Sequence, residues 1–182
     1  MKALLAFLVV TACCTAHAGD FLSFSTAGHA RAQGLRISID YPSRWTPGDN
    51  SRPGIVHEFR NKEAGGRDAL IIVIPSPQPR KRTAEAFRKY FGSPEAQELV
   101  MPGANHKAKA FIEDLRFPCV ALDYDLELPQ FAPAVVQVRN YIMLIQEKMV
   151  QVQFYGIAPP SDDVWSARKD MIDHVVRSIK VE

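Results

Sequence analysis

The chain has 182 residues, with 22 Lys and Arg against 20 Asp and Glu, a formal net charge of +2. Charges this balanced give no electrostatic footing for nucleic acid. A hydrophobic content of 47% belongs to a folded globular chain rather than a disordered one, and no repeat or low-complexity tract interrupts it.

Residues 1–18 read as a secretory signal peptide. Lys2 supplies the positive start, residues 3–10 are apolar, and Ala16-His17-Ala18 places small residues where a signal peptidase reads. The apolar run is far short of the ~20 residues that a membrane-spanning helix needs. Val10-Thr11-Ala12-Cys13 offers an alternative, lipidation of Cys13 at a lipobox-like site. Two acyl chains there would anchor the domain stably, and this is the only expected route to a membrane. Cleavage after Ala18 is the leading expectation, and it makes Cys119 the sole remaining thiol. With lipidation Cys14 also survives. Neither outcome gives a disulfide framework, and no C-x-x-C pair marks a zinc ribbon or a thioredoxin-type motif.

Without residues 1–18, 164 of the 182 residues remain, the size of one domain. Residues 19–33 are small and polar and read as an N-terminal arm or linker, although Phe21, Leu22 and Phe24 can pack as a short strand. The folded domain is expected over 34–182. Residues 35–41 alternate apolar and polar, as a half-buried strand does. Pro42 ends it, and Ser43-Arg44-Trp45 reads as a turn with Trp45 anchoring the core. A second strand is expected over 55–60, and 61–68 is a turn. Residues 69–74 are continuously apolar, which predicts a strand covered on both faces in the middle of a sheet.

A helix is expected from Thr83 as N-cap, with Phe87, Tyr90 and Phe91 on one face and Gly92 closing it. Ser93-Pro94 starts a second short helix. Strands follow over 106–117, 120–128, 135–145 and 149–155, and a last helix from Ser161 or Asp162 to Ile179. Its inner stripe is Val164, Arg168, Met171, Ile172, Val175 and Ile179. Few strands are joined through helices, so the fold class is α+β. The expected form is a mainly antiparallel sheet with helices on its faces, an α/β/α-type sandwich.

This pattern resembles the Mog1/PsbP-like superfamily. The features are residues 35–42 followed by Trp45, the apolar strand at 69–74, the helix after Thr83, the late meander and the closing Val175-Val176-Arg177-Ser178-Ile179-Lys180. The likeness covers residues 34–182 and contains no catalytic motif. It implies proteins that bind, assemble or stabilise other proteins, such as extrinsic photosystem subunits, a nuclear-transport cofactor and bacterial envelope lipoproteins. No site residue carries over from it.

Candidate chemistry is sparse. Asp123, Asp125 and Glu127 lie at alternate positions, on one face of one strand, about 7 Å apart. Such carboxylates serve acid–base work or cation binding, or simply form a solvated face paired across strands. Arg139, Gln137 and Gln151 are expected opposite, with Tyr141 and Tyr155 as further contacts. The histidines are scattered. His57 and Glu58 point to opposite sides of a strand, so no metal site is expected and no cofactor motif is present. No serine sits in a G-x-S-x-G elbow, and Gly65-Gly66 opens no phosphate loop. Arg80-Lys81-Arg82 with Arg88 and Lys89 forms a local basic run leading into a helix.

The expected function is that of an exported, non-catalytic, periplasmic or secreted protein acting on another protein by assembly, stabilisation or immunity-type inhibition. The alternatives are a carrier of a small hydrophobic ligand between sheet and helix, and a hydrolase with an unrecognised site, which alanine at Asp123, Asp125 and His57 would test.

Overall fold

The structure is a computed structural model and describes residues 20–48, 52–63, 67–75, 82–161 and 163–182. The expected signal peptide, Cys13 and most of the Arg80-Lys81-Arg82 run lie outside the described residues. In chain order the strands are β1 (Phe21–Ser25), β2 (Ile37–Pro42), β3 (Trp45–Pro47), β4 (Ile55–Asn61) and β5 (Asp68–Val73). Helices α1 (Ala84–Gly92) and α2 (Glu95–Val100) follow. Then come β6 (Asn105–Phe111), β7 (Cys119–Leu126), β8 (Val135–Ile145), β9 (Lys148–Ala158), α3 (Lys169–Arg177) and β10 (Lys180–Val181).

Among the described residues the strands form a seven-stranded sheet in the order β3-β4-β5-β9-β8-β7-β6 and a three-stranded sheet in the order β1-β2-β10. All the paired strands run antiparallel. The class is α+β, as the sequence implies. The apolar β5 sits inside the sheet between β4 and β9, and Leu70, Ile71 and Ile72 are buried on both of its faces, as a strand without a polar face requires. The β8–β9 hairpin turns through Gln146 and Glu147, both at positive φ (48° and 63°), the two-residue geometry that matches strand twist.

Each face of the large sheet buries its own core. On one face Phe59, Leu70, Ile72, Val152 and Phe154 pack with Ile172, Val175 and Val176 of α3 and with Ile37 and Ile39 of β2. On the other, Val120, Leu122, Val138 and Ile142 meet Phe87 and Phe91 of α1 and Ala96 of α2. Full burial of each of the larger side chains among these stabilises the fold by about 1.5–3 kcal/mol. Thr83 caps α1 as its spacing predicts, with Oγ1 accepting from the Ala86 amide at 3.1 Å. Trp45 is buried in the first core, but it opens β3 rather than closing a turn.

Two expectations need revision. The stretch read as an arm is built into the domain. Residues 21–25 pair along β2, and Thr26 is buried, its hydroxyl donating to the Leu35 carbonyl at 2.8 Å and accepting from the Ile37 amide at 2.9 Å. Phe21 and Phe24 supply the apolar surface that a linker lacks, stacking on His174 and His57 at 3.9 and 4.5 Å between ring centres. The last helix starts later than expected. Asp163 accepts from the amides of Trp165 and Ser166 and from the Ser166 hydroxyl. That local turn competes with the helix, so a 3-10 turn (Ser166–Arg168) intervenes before α3.

Candidate functional site

The alternation of β7 turns Asp123 and Asp125 toward the same side of the large sheet as α3. Pairing in register then brings β8 residues opposite them, Arg139 against Asp123 and Gln137 against Asp125. Arg139 grips Asp123 with both ends of its fork, Nε to Oδ1 at 2.8 Å and Nη2 to Oδ2 at 2.7 Å. This planar geometry is the strong form of a carboxylate contact. The hydrogen bond and charge of Asp123 raise the Arg139 pKa above its usual value.

Asp125 is more deeply placed, its side chain 7% exposed, and its partner comes from the edge strand. The β6–β7 register shifts between His106 and Ala108, which leaves Lys107 as an extra residue in a bulge. The Lys107 ammonium reaches Asp125 Oδ2 at 2.6 Å. Re-aiming one side chain is what a bulge does.

The recess above these pairs is bordered by Pro160, Ser161, Asp163 and Trp165. Gln137 Oε1 accepts from the Val164 amide at 3.3 Å. Gly156 lies opposite Gln137, and a Cβ there would come within 2.9 Å of Val164 Cγ2. The bare glycine therefore lets this segment settle on the sheet. Arg168 fastens its far end, Nη2 to Asp68 Oδ2 at 2.7 Å, where the aspartate side chain is 4% exposed. Asp163 borders the recess and stays ionised. The Ser166 hydroxyl and the Trp165 and Ser166 amides hold its carboxyl below the usual range. The recess has a volume of about 330 Å³ and is lined by Lys107, Asp123, Asp125, Gln137, Arg139, Asp163 and Trp165, with Pro160 and Ser161 at its rim.

The candidate residues do not all meet there. Glu127 lies past the end of β7 and lines a neighbouring hollow of about 470 Å³ with Leu128, Pro129, Pro133, Val135 and Pro160. Tyr141 shares the strand face of Arg139 but is 7% exposed within the first core, edge-on to Phe154, and burial pushes its phenol up to about 12. Gln151 and Tyr155 face the other side of the sheet. There Tyr155 Oη donates to Gln153, whose amide, like that of Asn140, donates to Gln151. Lys107, Asp163 and Trp165 were missed. The Asp163-Val164-Trp165-Ser166 spacing is a capping signature that could have pointed to Asp163, whereas a bulge leaves no mark in the alternation of β6.

His57 does not join the carboxylates. It lies on β4, four strand spacings or about 19 Å from β7, packed on Phe24 and Phe59. Burial and the neighbouring His29 lower its pKa. Among the described residues no group of three His, Cys, Asp or Glu side chains is placed to hold a metal ion. Cys119 is buried, with its thiol pushed up to about 12, so it stays protonated and unreactive at ordinary pH.

No protein-family model and no curated protein matches the sequence. Solved structures do match the backbone. Cyanobacterial PsbP (CyanoP) from Synechocystis sp. PCC 6803 is similar with a TM-score of 0.56 at 16% identity, over 95% of this chain and 99% of that one. The Saccharomyces cerevisiae Ran-binding protein Mog1p is similar with a TM-score of 0.50 at 10% identity, over 80% of this chain and 89% of that one.

Proposed function

We propose, for a chain that has the Mog1/PsbP-like fold, that it is a non-catalytic accessory protein that binds another protein of the cell envelope or secreted space through the recess beside Pro160, Ser161, Asp163 and Trp165. One observation carries this reading: the two strand carboxylates of the recess are already paired, Asp123 with Arg139 and Asp125 with Lys107. Groups held in this way present fixed charge and shape. A general acid or base needs a proton free to move and a pKa near the working pH. Mog1p, which shares the backbone arrangement, is a Ran-binding protein, so the fold supports protein binding in at least that case. The signal-like residues 1–18 support export of this chain.

The carrier alternative has less support, because the depression between α3 and the sheet lined by Leu115, Phe117, Met143, Val176 and Ile179 holds only about 160 Å³. The helix–sheet interfaces where a hydrophobic ligand would sit are filled by Phe87 and Phe91 on one side and by Ile172 and Val175 on the other.

The test is photo-crosslinking in cells that export the protein. A photoreactive residue at Ser161, on the exposed rim of the recess, is expected to capture a defined protein adduct. The same probe at Glu147, in the distant β8–β9 turn, is expected to capture little. Equal labelling from both positions, or none from Ser161, overturns the reading.

A further inference from the structure

We propose that the charged recess and the hollow next to it form one groove, shaped for an extended segment of the partner that alternates basic and apolar side chains. This rests on the reading that the recess binds a protein, and it names the chemistry of what binds. The two depressions share Pro160, so they lie side by side, within reach of one extended occupant.

Their linings differ in kind. In the recess both cations are consumed within the wall, Arg139 by Asp123 and Lys107 by Asp125. Asp163 then contributes a further negative charge at the mouth. In the hollow Glu127 is exposed, and among the described residues no cation meets it at ion-pair distance. The groove as a whole therefore has two more carboxylates than cations. That surplus repels phosphates and acidic segments and draws lysine or arginine.

Besides Glu127, the hollow is lined by Pro129, Pro133, Val135 and Pro160. Proline rings are rigid, so burying an apolar side chain against them orders little of the protein. A small cation satisfies only the charged half, and a hydrophobic molecule satisfies only the proline-lined half. A chain with both kinds of side chain in succession covers the whole groove.

The experiment uses the full exported protein labelled with 15N and three short synthetic peptides with identical leucine spacing, their remaining positions filled with Lys, Glu or Ser. Acetyl-lysine amide is the fourth probe. The Lys/Leu peptide is expected to shift amides on both sides of Pro160, such as those of Ser161, Asp163, Glu127 and Val135. It should bind at least about tenfold more tightly than the Glu/Leu peptide and weaken as salt rises. Glu127→Lys, at an exposed position, should lower the affinity of the Lys/Leu peptide several-fold.

The proposal is overturned if the Glu/Leu or Ser/Leu peptide binds as tightly, if acetyl-lysine amide reproduces all the shifts, or if the shifts stay on one side of Pro160. If the Ser161 probe captures a protein but no peptide prefers the basic form, the charge assignment fails and the binding role stands. If both experiments are blank, both fail.

Discussion

Arg168 and Lys107 hold the same kind of group under different exposure, and their removal should differ accordingly. The Arg168 side chain is 30% exposed and pairs with an Asp68 side chain that is 4% exposed. Arg168→Ala leaves a buried carboxylate without its cation, so it should lower the unfolding free energy by about 3 kcal/mol. Lys107 is 44% exposed, and water reaches the pair from its side. Lys107→Ala should cost about 1 kcal/mol. Urea melts of the two variants against the parent check this, and equal losses would contradict the ranking.

The Asp123–Arg139 facing was legible in the sequence, because β7 alternates cleanly and β8, the next strand of the meander, carries Arg139 and Gln137 at alternate positions. The Asp125–Lys107 contact was not, because it depends on one extra residue in β6 whose place no pattern reveals. Glu127 looked equivalent to the two aspartates only as long as β7 was taken to run to residue 128. The strand stops at Leu126, where the chain turns toward Pro129.

At the scale of elements, the segment before α3 lies on the sheet only because position 156 has no side chain. Gly156→Ala should destabilise the protein by about 1–3 kcal/mol, since Val164 must give way while Trp165 and Arg168 leave it little room. Hydrogen exchange should then quicken in residues 163–168 more than in β7, and uniform quickening would argue against a local effect.

Strand β1 is held by a second device. Phe24 packs on His57 and Phe21 on His174, so two histidines from different elements clasp the strand. The His57 pKa is lowered from its usual 6.5, chiefly by burial. A depressed pKa means that the folded state prefers the neutral ring. That contribution is complete above pH 6.5 and is lost as the pH falls from there through the folded pKa. The stability difference between the parent and His57→Phe should therefore shift in favour of the variant on acidification across this window. A difference independent of pH would sink the assignment. Sequence reading undervalued β1 because its polar neighbours look like a linker. Its partner surface on His57 and His174 comes from residues far along the chain, and short-range pattern cannot see it.

For the whole molecule, layer architecture was the most legible property. The continuously apolar β5 demanded burial, and α3 with the small sheet supplies it on the face of Leu70 and Ile72. The three-stranded sheet was invisible in advance, since β10 is two residues long and pairs with a strand near the other end of the chain. Export can be checked directly. The intact mass of protein recovered from cells carrying its own N-terminus should begin at Gly19, whereas a mass beginning at Cys13 plus acyl chains would replace cleavage with anchoring.

The small sheet sets how the domain answers to force. Strand β2 lies between β1 and β10, and both run antiparallel to it. Phe21 sits opposite Pro42 at one end of β2, while Val181 sits opposite Ile37 at the other. Tension between residues 20 and 182 therefore drags β1 and β10 in opposite directions along β2. The backbone hydrogen bonds on both sides are loaded together, in shear, instead of opening one after another like a zipper. The Ser25 hydroxyl, bonded to Glu182 at 2.9 Å, ties the two loaded strands to each other. Pulled between residues 20 and 182, the domain is arranged to stay folded under load.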